Sequence, residues 1–284
     1  MTFESKLVPP VVIVLVVEHS DTCRDEVLEG IAGQDYENLQ VVVLHRGQSS
    51  IEQQVKSVLP GALVKEVSAS NNFGEAANQI EKLTHGASFY LFLDDGTALA
   101  SDSLSVLVDE ALESNAGILG PKVLDWDDPS RITSMGLLVD AFGVETAFVE
   151  AGELDQQQHD RVREAFTVTG EAVLVRSDLF KTLGGFDPKI LGGEQYLDLC
   201  WRAQIAGGRI LVVPRATVRN RKEFSPETAS RARRHSMRNR QHVIAKCYGW
   251  VHLVPVMVVA LLLSLFEVAY SLGTLRIGHR RDVL

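Results

Sequence analysis

The 284 residues, 45% hydrophobic and 23% charged, suffice for one large α/β domain with an appendage and a buried core of its own. The net charge of −9 divides unevenly: 16 Lys and Arg stand against 33 Asp and Glu up to residue 218, and 12 against 4 from Arg219 onward. So acidic a body excludes nucleic acid as a partner, whereas a basic tail beside an apolar run points to a membrane surface. Cys23, Cys200 and Cys247 lie far apart without a C-x-x-C pair. That excludes a disulfide framework or a zinc site, and fits small buried hydrophobes in a reducing compartment.

Val11 to Val17 (VVIVLVV) is a β-branched run without alternation, the pattern of a strand buried on both faces of a parallel sheet. It does not read as a secretory signal, being short, preceded by Pro9-Pro10, and without a basic start or cleavage site. The pattern next predicts a helix over Arg24 to Ala32, a strand over Leu39 to Leu44 and a helix over Ser50 to Val58. A strand over Ala62 to Val67, a helix over Phe73 to Thr84 and a strand over Ser88 to Leu93 follow. This alternation predicts a doubly wound, mostly parallel sheet flanked by helices. Ligands of such sheets bind beyond the carboxyl ends of the strands. Attention therefore falls on Glu18-His19-Ser20, on His45-Arg46-Gly47 and on Asp94-Asp95-Gly96, although the last is by itself a common turn sequence.

Ser101-Asp102 caps a helix over Ser103 to Ser114, and Gly117 to Val123 is another strand. Asp125 to Ala151 reads as an excursion with hairpin-like alternation, in which Asp127-Asp128-Pro129 is a capped turn rather than a metal site. The polar stretch Glu153 to Arg163 reads as a flexible loop, with His159 in solvent. From Phe166 to Asn220 the order is a short strand (Gly170 to Val175), a helix from Ser177-Asp178, and a Gly-Gly-Phe-Asp-Pro turn at Gly184 to Pro188. An acidic segment, Glu194 and Asp198, then opens a helix carrying Trp201 and Arg202, which Gly207-Gly208 closes. The strand Arg209 to Val213 ends at Pro214.

This order resembles the acceptor-side half of the family 2 inverting glycosyltransferases, whose pattern runs G-x-x-x-L-V-R, G-G-F-D, E-D-x-D-L, a Gly-ended helix, then V-P. Asn72-Phe73-Gly74 to Asn78 is similar to the family's N-x-G-F-x-x-A-x-N segment, and Asp94-Asp95 to its aspartate motif. The resemblance implies a GT-A-like domain over about residues 8 to 220, a nucleotide-diphospho-sugar donor, and a saccharide or lipid-linked acceptor. It implies a divalent metal, Mg or Mn, held by Asp95 and Asp94, because a hard cation stabilises the charge on a departing diphosphate. Donor contacts are implied for Glu18, His45, Asn72, Gly74, Asn78, Asp94, Gly170 and Arg219. The catalytic base, which takes the proton of the attacking hydroxyl, is implied at Glu194 or Asp198. Asp198 reads equally well as a cap or as a partner for Arg202 one turn on.

The chain departs from that pattern at four places. His45 replaces a base-holding Asp, Gly96 the third motif position, Gln195 and Tyr196 the Glu-Asp pair, and Arg219 a metal-binding His. Arg219 could instead neutralise the diphosphate directly. The alternative to an enzyme is a catalytically degenerate module serving as a membrane-bound binding or scaffold subunit.

Beyond the domain, residues 221 to 248 form a basic juxtamembrane segment, within which Arg231 to Lys246 resembles an interfacial helix. Gly249 to Leu275 is apolar enough to span a bilayer, with Trp250 and Tyr270 as interface anchors. The basic cluster before the span, and the cytosolic supply of nucleotide sugars, place the domain on the cytoplasmic face of the inner membrane.

Overall fold

The computed structural model describes residues 8–17, 23–47, 49–68, 72–140, 145–190, 194–221, 239 and 242–249, and beyond them 251, 254–255, 258–259, 262 and 265–266. Its first half is β1 (Val11–Val17), α1 (Asp25–Ala32), β2 (Leu39–His45), α2 (Ser49–Val58), β3 (Leu63–Glu66), α3 (Phe73–Ala77), α4 (Ile80–Leu83), β4 (Phe89–Asp94), β5 (Thr97–Leu99) and α5 (Ser103–Ser114). Its second half is β6 (Ile118–Asp125), β7 (Arg131–Ser134), β8 (Leu137–Val139), β9 (Glu145–Ala147), β10 (Glu153–Leu154), β11 (Arg163–Glu164), β12 (Ala172–Arg176), α6 (Ser177–Leu183), α7 (Glu194–Ile205) and β13 (Ile210–Asn220).

β3, β2, β1 and β4 pair in parallel, β12 runs antiparallel between β4 and β6, and β13 lies parallel to β6. The central run explains itself through its pleat. Val11, Ile13, Leu15 and Val17 face one apolar layer with α1, α2 and α5. Val12, Val14 and Val16 face the other, with α3 and the aromatic group Phe180, Phe186 and Tyr196. Both faces are therefore covered, as the unbroken β-branched run requires. The carboxyl ends of β1, β2, β4, β6 and β13 and the start of antiparallel β12 all come to one edge.

Four details differ from the sequence reading. The helix expected over Phe73 to Thr84 is divided at Asn78-Gln79 into α3 and α4, because the Asn78 amide is tied to a distant loop. β13 does not stop at Pro214 but continues to Asn220, with its register against β6 shifting between Val213 and Thr217. Pro214, which has no N–H to give a ladder, falls within that irregularity. The loop read as flexible is pinned: Lys122, 3% exposed, donates to Asp155 at 2.8 Å and to Asp160 at 2.7 Å. His159 is half-buried rather than solvated, 3.1 Å from Glu153 Oε1.

Asp127 and Asp128 form a capped turn, their N–H groups donating to Asp125 Oδ1. The three cysteines are free thiols, Cys23 and Cys200 buried. Among the described residues no helix is long and apolar enough to cross a membrane. Most of the expected span, Gly249 to Leu275, lies outside the described residues, as does most of the basic segment before residue 239.

Candidate active site

β4 delivers Asp94 to the carboxyl edge, where its N–H donates to the Glu171 carbonyl at 3.0 Å. Burial pushes the Asp94 carboxyl up to about 7, and the negative charges of Asp95 and then Glu171 push in the same direction. Asn220 and the Gly96 N–H oppose that shift without cancelling it. Asn220 Nδ2 stands 3.3 Å from Asp94 Oδ2 and donates to Thr97 Oγ1 at 2.7 Å. A Cβ at Gly96 would lie 3.3 Å from the Arg221 carbonyl oxygen and 3.4 Å from Asp94 Oδ2. A side chain at this third motif position would therefore press on Asp94 and on the end of β13.

Among the described residues no group of three or more His, Cys, Asp or Glu side chains is arranged to hold a metal ion unaided. The charge distribution nevertheless fits one. A carboxyl raised by its acidic neighbours is relieved by a hard cation whose remaining coordination positions come from phosphate oxygens. At the end of β2, His45 is 5% exposed, and its Nδ1 has no hydrogen-bond partner among the described residues.

The start of α7 reaches this edge through Tyr196, which packs over Gly170 next to Glu171. Glu194, its first residue, is half-buried, and Asn239 Nδ2 stands 3.4 Å from its Oε2. The helix is held close by small residues and rings. Gly170 packs under Tyr196, and a Cβ there would come within 2.5 Å of the ring. Tyr196 in turn packs on Phe73 and Phe186, with ring centroids 5.8 and 5.3 Å away. Gly170 immediately precedes Glu171, so the contact that seats α7 also fixes the strand carrying the acid beside Asp94.

The expected site residues divide into three groups. Asp94, Asp95 and His45 come to the carboxyl edge, and Glu194 to the start of the helix whose Tyr196 packs over Gly170. Glu18 lies outside the described residues. The others are engaged elsewhere. Asp198 is 0% exposed and paired with Arg202 at 2.5 Å, the arrangement of its reading as a partner for Arg202. Asn78 spends both amide atoms on Phe186, accepting from its N–H and donating to its carbonyl, each at 2.8 Å. Asn72 caps α3 through Glu75 and donates to the Pro188 carbonyl at 2.7 Å. Both asparagines, with Gly74 packed against Phe186, tie α3 to the Gly-Gly-Phe-Asp turn. Arg219 is exposed and stacks its guanidinium over Trp126 at 5.5 Å.

Two residues of the edge escaped the sequence reading. Glu171 follows Gly170 at the mouth of a fully buried strand, where a lone acid is itself a signal. Asn220 was hidden by ending β13 at Pro214, since strand alternation from Val218 carries Asn220, not Arg219, inward.

Comparison with known proteins agrees with this architecture. The family described as "Glycosyltransferase like family 2" matches residues 4–241. GalNAc-T7, crystallised with UDP, GalNAc and Mn2+, superposes with a TM-score of 0.61 at 12% identity, over 76% of this chain and 44% of its own. S. aureus TarS 1-349 superposes with a TM-score of 0.58 at 17% identity, over 87% of this chain and 69% of its own. This chain thus spans less than half of the GalNAc-T7 chain. No curated protein matches the sequence.

Proposed function

The chain belongs to glycosyltransferase-like family 2, and on that premise we propose that it moves a sugar from a nucleotide-diphospho-sugar to a saccharide or lipid-linked acceptor, with inversion at the anomeric carbon. The observation that carries this reading is the gathering of Asp94, Asp95 and Glu171 at one edge of the sheet, with Gly170, next to Glu171, packed under Tyr196 of the helix that Glu194 opens. GalNAc-T7, which shares the fold, was crystallised with UDP, GalNAc and Mn2+, and that supports a like donor and cation here.

Asp94 and Asp95 would hold a Mg or Mn ion, which when bound neutralises charge building on the departing diphosphate. His45, with a ring nitrogen to offer, lines the nucleotide side. Glu194 takes the proton of the acceptor hydroxyl as that oxygen bonds to the anomeric carbon and the bond to the diphosphate breaks. The proton ends on Glu194 and the electron pair on the diphosphate. The domain works at the cytoplasmic face of the inner membrane. The basic residues after Arg219 and the exposed apolar helical positions Val251, Val254, Val258, Leu262, Leu265 and Phe266 support that placement.

A thermal-shift screen of UDP-, GDP- and dTDP-sugars with and without manganese tests donor and cation together. Stabilisation that requires manganese, together with loss of transfer by roughly 10²–10⁴-fold in Glu194→Gln, is expected. Manganese-dependent binding without transfer by the intact chain would favour the alternative, a catalytically silent binding module at the membrane.

A further inference from the structure

Asn239 and residues 242–249 are not a mere tether. Residues 242–247 are helical, and Val243, fully buried, and Ile244 join Ile190, Leu197 and Trp201 in a small apolar cluster of their own. Tyr248 sets its ring edge-on to Trp201 at 5.0 Å. Polar contacts then link this segment to the catalytic side. Lys246 Nζ donates to Asp187 Oδ2 at 2.7 Å and lies 2.9 Å from Asp198 Oδ1. Asp187 is the Asp of the Gly-Gly-Phe-Asp turn, while Asp198 sits one turn beyond Glu194 on α7. Arg202 serves the other oxygen of Asp198, at 2.8 Å from Nε. Asn239 reaches Glu194 itself.

One ammonium therefore bridges the turn before α7 to the first turns of α7, and the same segment touches the carboxylate at the helix start. We propose that Lys246 is a positioning residue for glycosyl transfer, and that Asn239 and residues 242–249 clamp α7 so that Glu194 holds the orientation the displacement needs. This rests on the reading of Glu194 as the base. Without the bridge, Asp198 keeps only Arg202 as its cation among the described residues, the turn and the helix are free to part, and Glu194 moves with them. A displacement of about 1 Å at a reacting group costs up to roughly 10²-fold in rate.

The test uses the full chain and measures release of nucleoside diphosphate from UDP-, GDP- and dTDP-sugars with manganese. Lys246→Met is expected to lower kcat about tenfold or more with the donor KM changed less than about twofold, and Lys246→Arg to restore most of the rate. In a Glu194→Gln background, Lys246→Met is expected to add nothing, because it acts through the missing base. Should Lys246→Met prove too unstable to assay, Asn239→Ala, which leaves the ion cluster intact, is expected to lower kcat at unchanged Tm. If Glu194→Gln loses the rate while Lys246→Met or Asn239→Ala keeps it, the clamp is overturned and the base stands. An equal cost of Lys246→Met in both backgrounds also overturns the clamp. If Glu194→Gln keeps the rate, or the unaltered chain releases nothing, the underlying reading fails and the inference with it.

Discussion

Two sides of one site hold enclosed carboxylates in opposite ways. At the end of β4, Asp94 faces Asp95, Glu171 and the amide of Asn220, and burial with like charge pushes its carboxyl up to about 7. Around α7, burial also opposes charge on Asp187, yet the hydrogen bonds from Lys246 and the Lys189 N–H, with the charges of Lys246 and His242, together hold that carboxyl below the usual range. Asp198, fully buried, lies between Arg202 and Lys246. Around α7 the chain itself sets cations against its buried acids, while at the end of β4 burial and neighbouring acids weigh on Asp94. An acid cage with its own cations keeps a shape. A carboxyl raised by burial and by like charge, as Asp94 is, is suited to receive a cation and the anion that cation carries.

Asp198→Ala breaks the comparison most severely. Removing one partner of a buried ion cluster strands the other charges, at a cost of about 3–5 kcal/mol. Urea unfolding should show that loss, and a change under about 1 kcal/mol would mean the cage is not structural. Asp94→Asn should act with the opposite sign. The folded value of about 7 lies above the ordinary 3.8, so the native chain holds that proton more tightly than the unfolded chain does. Asp94 therefore stabilises the metal-free protein fully only below about pH 4, and that contribution falls as pH rises towards 7. At pH 8 the Asn variant should be more stable by on the order of 1–4 kcal/mol, with the slope between pH 4 and 7 reduced. Manganese-dependent diphosphate binding should be lost in the same variant. Identical pH slopes in the two proteins would remove the case for a raised Asp94 carboxyl.

A smaller effect separates tether from ligand contact. Asn78→Ala gives up two hydrogen bonds to the Phe186 backbone and should cost about 1–3 kcal/mol. Diphosphate affinity should be nearly unchanged once folding is allowed for; a selective loss of binding with no loss of stability would return Asn78 to the site. This residue also shows what the sequence could convey. The β-branched runs and their spacing were enough for the doubly wound sheet, because burial on two faces leaves a period that can be read directly. Asp94-Asp95 and Glu194 were legible because acids at strand ends and helix starts are placed there by the alternation itself. Asn72 and Asn78 were not. Their amides suit a ligand or a loop equally, and only the meeting of α3 with the Gly-Gly-Phe-Asp turn, more than 100 residues away in sequence, decides between them. Asp198 was legible in one of its two readings, the pair with Arg202 at i, i+4 spacing.

The smallest expected effect is also the sharpest check on which residue of β13 faces the donor. Alternation gives Val218 buried, Arg219 exposed and Asn220 buried, so the guanidinium over Trp126 and the amide beside Asp94 lie on opposite faces of the strand. An exposed cation over an aromatic ring contributes about 0.5–1 kcal/mol, and Arg219→Ala should cost no more than that while leaving manganese-dependent diphosphate affinity within about twofold. Asn220→Asp, one residue on, sets a further carboxylate against Asp94 Oδ2 and Thr97 Oγ1. It should weaken the metal-free fold and make its stability rise on adding manganese by more than that of the unaltered chain. Were Arg219→Ala instead to weaken diphosphate binding tenfold while Asn220→Asp changed nothing, the inward face of β13 would have been assigned to the wrong residue, and Arg219 would supply charge that the acidic edge otherwise has to obtain from a cation.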